Sequence, residues 1–127
     1  MNNKIEIGSV TWNDLTVPNA EEVRNFYNKV VGWKHEAVEM NGYSDFSMLT
    51  PVEGKAVAGV CHAKGVNAGL PPQWLIYITV EDIDLSIKNC LELGGSVIAG
   101  PQKMGEQGKY CVIKDPAGAA VALFQFL

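Results

Sequence analysis

Two histidines, His35 and His62, and three cysteines, Cys61, Cys90 and Cys111, are the nitrogen and sulfur donors of this sequence. Cys61-His62 sets a thiol next to an imidazole, the pairing that activates cysteine nucleophiles. Both fall in Ala56–Ala63, an apolar run that reads as a strand. Successive strand side chains point to opposite faces, so this pair cannot form a working dyad. His35 lies in the polar run Lys34-His35-Glu36, which reads as exposed strand. Imidazoles placed so differently do not make a two-histidine, one-carboxylate iron site. The cysteines are odd in number and lack C-x-x-C spacing, which argues against a disulfide framework and a structural zinc site. They read as reduced thiols of a cytoplasmic protein.

The 127 residues suffice for one domain with its own core. Ten basic and 14 acidic side chains give a net charge of −4 with no basic block, so a phosphate-neutralising nucleic-acid face is not expected. The N-terminus has neither the apolar core nor the small-residue cleavage site of a secretory signal. The most apolar stretch, Gln73–Val80, is too short to cross a membrane.

The elements that must position any site are legible from periodicity and punctuation. Ile5–Val17 reads as a strand that Pro18 ends. Asn19 with Glu22 three residues later reads as a capping box, opening a helix that buries Ala20, Val23, Phe26, Tyr27 and Val30 and stops at Gly32. Trp33–Met40 and Tyr43–Leu49 flank the hairpin dipeptide Asn41-Gly42, both of whose residues tolerate positive φ. Ala56–Ala63 is a further strand, and 64–72 reads as a linker. Gln73–Val80 is then a strand. Asp82 caps a helix that buries Ile83, Ile87, Cys90 and Leu91 and ends at Gly94-Gly95. Ser96–Ala99, Lys109–Lys114 and Ala119–Phe126 read as strands, the last two joined by the turn Asp115-Pro116-Ala117-Gly118. Gln102–Gly108 reads as a flexible polar loop that could act as a lid.

The order is βαβββ twice, with modules at 1–63 and 73–127. A shift of 63 residues lays Asn19 on Asp82, Gly32 on Gly95, Thr16-Val17 on Thr79-Val80 and Ala56 on Ala119. The expected fold is α+β, with two tandem modules forming a curved mixed sheet around a central cavity and helices on the outer face. A small ligand would occupy that cavity.

This order, and several phrases within it, resemble the vicinal oxygen chelate superfamily of glyoxalases, bleomycin-resistance proteins and extradiol dioxygenases. The phrases are Trp12-Asn13-Asp14-Leu15, Phe26-Tyr27 with Gly32-Trp33, Trp74–Val80 followed by Glu81-Asp82-Ile83-Asp84, Leu93-Gly94-Gly95 and Asp115-Pro116-Ala117-Gly118. The similarity covers nearly the whole chain and is greatest to small glyoxalase-like bacterial proteins without an assigned reaction. It implies a homodimer and a divalent metal held from the first and last strands of each module. It places those ligands at Trp12, Gly59, Leu75 and Ala122. None of these offers a side chain that binds a divalent cation, so no metal and no cofactor are expected.

With those four facing inward, alternation adds Asp14 and Thr16, Tyr77 and Thr79, Val57 and Cys61, and Ala120 and Phe124. The binding residues so expected are Trp12, Asp14, Gly59, Cys61, Leu75, Tyr77, Ala122 and Phe124. Trp12 either fills the space of a metal or stacks on a planar ligand. Asp14 either accepts local hydrogen bonds or, desolvated, acts as a general base. Tyr77 either packs or donates a proton, and Cys61 reads as an inert buried thiol. The function expected is metal-free binding of a small, partly apolar or aromatic molecule. The alternative is an enzyme of lyase, isomerase or dioxygenase type, using an Asp14–Tyr77 acid–base pair or a displaced divalent metal.

Overall fold

The structure, a computed structural model, describes residues 5–127. It forms β1 (Val10–Val17), α1 (Ala20–Val31), β2 (Lys34–Glu39), β3 (Ser44–Leu49) and β4 (Ala56–His62). A single 3-10 turn at Gly65–Asn67 follows, then β5 (Trp74–Thr79), α2 (Ile83–Glu92), β6 (Ser96–Met104), β7 (Gly108–Lys114) and β8 (Ala120–Phe126). The class is mixed α+β and the order βαβββ occurs twice, as the sequence implies. Two compact units result. One is Asn13–Trp74; the other joins Leu75–Leu127 to the segment ending at Trp12.

In the Asn13–Trp74 unit the strand order is β2-β3-β4-β1, with β1 parallel to β4 and the remaining pairs antiparallel. A parallel pair needs a long crossover, which α1, β2 and β3 supply. Leu15, Val17, Ala20, Phe46, Met48, Ala58 and Val60 are buried together, with Val23 and Tyr27 of α1 packed on them. The strand members of this set alternate along each strand, so the face carrying α1 is the apolar one. Tyr27, Trp33 and Trp74 interlock at ring separations of 5.4–5.9 Å, and the Trp74 indole N–H donates to the Tyr27 hydroxyl at 3.1 Å.

The Leu75–Leu127 unit orders its strands β5-β8-β7-β6, with β5 parallel to β8. Ile83, Cys111 and Leu123 form its helix-side core, flanked by Ile78, Val80, Ile87 and Ile113. Gly8 and Ser9 attach to this unit through the Thr79 backbone: Gly8 N–H donates to the Thr79 carbonyl at 2.8 Å, and Thr79 N–H to that of Ser9 at 2.9 Å.

The 63-residue repeat is written into the strand register. Asp14 pairs with Gly59, and Tyr77 with Ala122; Leu15 pairs with Val60, and Ile78 with Leu123; Thr16 pairs with Cys61, and Thr79 with Phe124.

Several local expectations are corrected. The first strand begins at Val10 because residues 7–8 turn, with Gly8 at φ 89°. Asn19 forms no backbone cap; its amide donates instead to the Glu22 carboxylate at 2.9 Å. Phe26, Val30 and Leu91 are more than half exposed, because each helix carries a wider apolar stripe than its sheet covers. In the β2–β3 turn only Gly42 takes positive φ, so Asn41-Gly42 does not form the type I′ turn that needs it at both residues, although the Met40 N–H still donates to the Tyr43 carbonyl across it at 2.7 Å. The left-handed residue ending α2 is Gly94; Gly95 is needed for close approach, since a Cβ there would lie 2.5 Å from Cys90 Sγ and 2.7 Å from the Lys114 carbonyl. Residues 102–104 are not loop: Gln102, Lys103 and Met104 pair with Tyr110, Lys109 and Gly108.

Asp82 does cap α2, its Oδ1 accepting from the Asp84 and Leu85 N–H groups at 3.1 Å each. Asp82→Ala is therefore expected to lower unfolding free energy by about 1 kcal/mol in a denaturant titration. Asn19→Ala, which removes no cap, is expected to stay within about 0.5 kcal/mol.

Candidate functional site

Each unit presents one sheet face to its helix and one away from it. In the Asn13–Trp74 unit Leu15 and Val17 lie on the helix face, so Asp14 and Thr16 lie on the other, with Gly59 and Cys61 as their strand partners. In the Leu75–Leu127 unit Ile78 and Val80 take the helix face, so Leu75, Tyr77 and Thr79 lie on the other, beside Ala122 and Phe124. The strand parity expected from the sequence therefore holds for these residues. Trp12 groups with the unit of Leu75, and its neighbours Asp14, Gly59 and Cys61 group with the other.

Burial is deep on both helix-free faces, where Thr16 is 4% exposed and Gly59 is buried. Leu75, Tyr77, Ala122 and Phe124 are 8% exposed or less. Phe124 stacks edge-on against Phe126 at 4.6 Å and lies over Gly108, where any Cβ would strike the Phe124 ring. Asp14 and Cys61 are half-buried. Thr79 is 3% exposed and its hydroxyl oxygen is buried without a hydrogen-bond partner, which leaves a donor on the helix-free face.

Cys61 is held as a thiol. Burial pushes its ionisation far above the ordinary range, and the Asp14 and Asp45 carboxylates reinforce the effect. Burial, with smaller contributions from Cys90 and Asp84, likewise moves Cys111 up to about 11. A nucleophilic cysteine needs the opposite environment. Iodoacetamide at pH 8 is accordingly expected to leave Cys61 and Cys111 unmodified in the folded protein while alkylating both after denaturation, as read by peptide mass spectrometry.

His62 has the Asp45 carboxylate at 3.3 Å from Nδ1, and its backbone N–H donates to the same oxygen at 2.8 Å. Its ring packs near Phe46 and Tyr43, on the helix-bearing side and away from Cys61. His35 is exposed and packs edge-on against Phe46. Among the described residues no group of three His, Cys, Asp or Glu side chains is placed to hold a metal ion. The donor chemistry at Trp12, Gly59, Leu75 and Ala122 does not fit a divalent cation either.

Three of the surface hollows among the described residues each lie within a single unit and are lined by none of the eight expected binding residues. One of about 860 Å³ lies at the start of α2, bordered by Thr79, Glu81, Asp82, Asp84, Lys109 and Gln125. A second, of about 420 Å³, runs along α2 past Cys90 and Leu93. The third, of about 460 Å³, lies beside α1 and carries Arg24, His35, His62 and Lys64. Sequence reasoning missed this last cluster, whose members come from α1, β2, β4 and the segment after β4. No helix among the described residues is long and apolar enough to cross a membrane.

A model of the glyoxalase/bleomycin resistance protein/dioxygenase superfamily matches residues 7–123. CFP32 of Mycobacterium tuberculosis, whose name marks it as a candidate glyoxylase, is 31% identical over 119 residues, 93% of this chain and 46% of that protein. DnrV of Streptomyces peucetius, named an anthracycline biosynthesis protein, is 30% identical over 133 residues, 93% of this chain and 47% of that protein. The chain thus spans about half the length of the curated relatives it matches. A Streptomyces coelicolor methylmalonyl-CoA epimerase in complex with 2-nitronate-propionyl-CoA has the same fold, with TM-score 0.59, 13% identity, and 95% and 96% of the two chains covered. The Mycobacterium tuberculosis methylmalonyl-CoA epimerase aligns with TM-score 0.53 and 15% identity over 98% and 94%. At these identities the structural likeness speaks to fold alone.

Proposed function

The chain belongs to the glyoxalase/bleomycin resistance protein/dioxygenase superfamily, and from that premise we propose that it binds a small, partly apolar or aromatic molecule without a divalent metal. The observation that carries the reading is the identity of four residues. Trp12, Gly59, Leu75 and Ala122 stand where the superfamily resemblance places metal ligands, and none has a donor atom in its side chain suited to a divalent cation. Each unit's helix-free strand face offers candidate contacts of its own in this reading: Asp14, Gly59 and Cys61 on one, and Trp12, Leu75, Tyr77, Ala122 and Phe124 on the other. Apolar walls supply affinity, and Asp14, Tyr77 and the unpartnered Thr79 hydroxyl supply orientation. The name of the Streptomyces relative suggests planar polycyclic compounds as the first probes. Assembly as a homodimer belongs to the same proposal.

Calorimetric titration of an anthracycline into chelator-treated protein tests it. Saturable binding that weakens about tenfold or more in Trp12→Ala is expected, the loss of one stacking aromatic. Binding that requires added zinc, nickel, iron or manganese contradicts it. So does turnover of the probe that falls about 100-fold in Asp14→Asn, which would make the protein an acid–base enzyme.

A further inference from the structure

The hollow beside α1 gathers both histidines of the chain with an arginine and a lysine. We propose that it is a recognition site for a small organic anion, a carboxylate or phosphate carried on an apolar body. It lies wholly within the Asn13–Trp74 unit, on the helix-bearing side of the sheet, and is independent of the binding proposed for the helix-free faces.

Two permanent cations in the hollow are positioned by aromatic rings rather than carboxylates. The Arg24 guanidinium sits 4.6 Å from the Phe46 ring centre, and the Lys64 ammonium 4.5 Å from that of Tyr43. Neither lies within ion-pair distance of a carboxylate among the described residues. Arg24 Nε and Nη2 both donate to the neutral Asn25 amide oxygen, at 3.1 Å each. A cation held over a ring keeps its charge, and with the Nε–Nη2 edge of Arg24 turned to Asn25 it is the Nη1 side of the guanidinium that is left to a ligand. Glu21 carries the one carboxylate on the wall. Asp45, behind it, is engaged by the His62 backbone N–H and faces the His62 ring. The Phe46 and Tyr43 rings, against which His35 and His62 pack at 5.5 Å, form an apolar floor. The volume of about 460 Å³ suits a small ligand.

His35 reports on this field. Although His35 is exposed, the desolvation of its ring where it packs on the protein lowers its pKa first, and the Arg24 charge lowers it further. Besides His35 itself, Glu21 and Arg24 of α1, Tyr43 before β3, Asp45 of β3, His62 of β4 and Lys64 after it are the charged or titratable groups around the hollow. A bound anion offsets the Arg24 charge and raises His35.

Proton NMR resolves the site directly, because the chain's two histidines both line it. Phenyl phosphate and benzoate are titrated separately, with phenol and inorganic phosphate as comparisons. At least one of the two organic anions is expected to shift both imidazole Cε1–H signals saturably and to move the His35 titration midpoint upward, and the one that binds identifies the headgroup. Phenol is expected to leave the signals in place. Arg24→Gln with Lys64→Gln is expected to weaken binding about tenfold or more, and Glu21→Gln to strengthen it, in proteins whose circular dichroism matches the parent. Absence of saturable shifts with both organic anions, equal binding of inorganic phosphate, or undiminished affinity in the double variant overturns the proposal.

Discussion

Ala122→Glu is expected to lower unfolding free energy at pH 8 by about 3 kcal/mol. Ala122 has no exposed surface and lies on β8 between Tyr77 of β5 and Val112 of β7. A carboxylate there restores the type of ligand that the superfamily resemblance places at this position. It would meet Tyr77 and Val112, both buried, in place of a cation. Burial without a partner raises the folded-state pKa above the unfolded value of about 4.3. The sign follows from linkage: a raised folded pKa means that the folded state holds the proton longer. The charge penalty is absent below the unfolded pKa and grows as pH rises through the folded one. Denaturant titrations at pH 4 and pH 8 should therefore show the smaller deficit at pH 4. An equal or smaller deficit at pH 8 would mean that the position has a cation or solvent at hand.

Met48→Ala is expected to cost about 2–5 kcal/mol. Met48 is fully buried in the core built from Leu15, Val17, Phe46, Ala58 and Val60. Truncation leaves a cavity among rigid strand residues, and only the part that the neighbours fill is recovered. The measured quantity is the denaturant midpoint at unchanged slope. A loss below about 1 kcal/mol would mean that this core is loosely packed.

The parts of the fold legible in the sequence are those fixed by single residues or by strict period. Gly32 ends α1 in the left-handed conformation, Asp82 caps α2, and Asp115 Oδ1 accepts from the Ala117 and Ala119 N–H groups to close its turn. Strand alternation put Asp14 and Thr16 on one face, Leu15 and Val17 on the other. The 63-residue spacing of caps and stops reappears as the Asp14–Gly59 and Tyr77–Ala122 pairings.

What could not be read depends on tertiary surroundings. Phe26 and Val30 continue the apolar pattern of α1, yet the strands beneath do not reach them. Asn19 matches the capping pattern, but its side chain finds Glu22 before any backbone N–H. Gln102 and Lys103 are polar and follow Pro101, and with Met104 they lack strand character until Tyr110, Lys109 and Gly108 offer them partners. The Arg24–His35–His62–Lys64 hollow draws on segments far apart in sequence, and no local spacing announces it.

Metal-free ligand binding, as proposed above, rests on Trp12, Gly59, Leu75 and Ala122 holding no divalent cation. Elemental analysis of protein purified without chelators measures metal per chain directly. A content well below one equivalent of any divalent transition metal is expected; one equivalent of zinc, nickel, iron or manganese retained through purification would contradict metal-free binding.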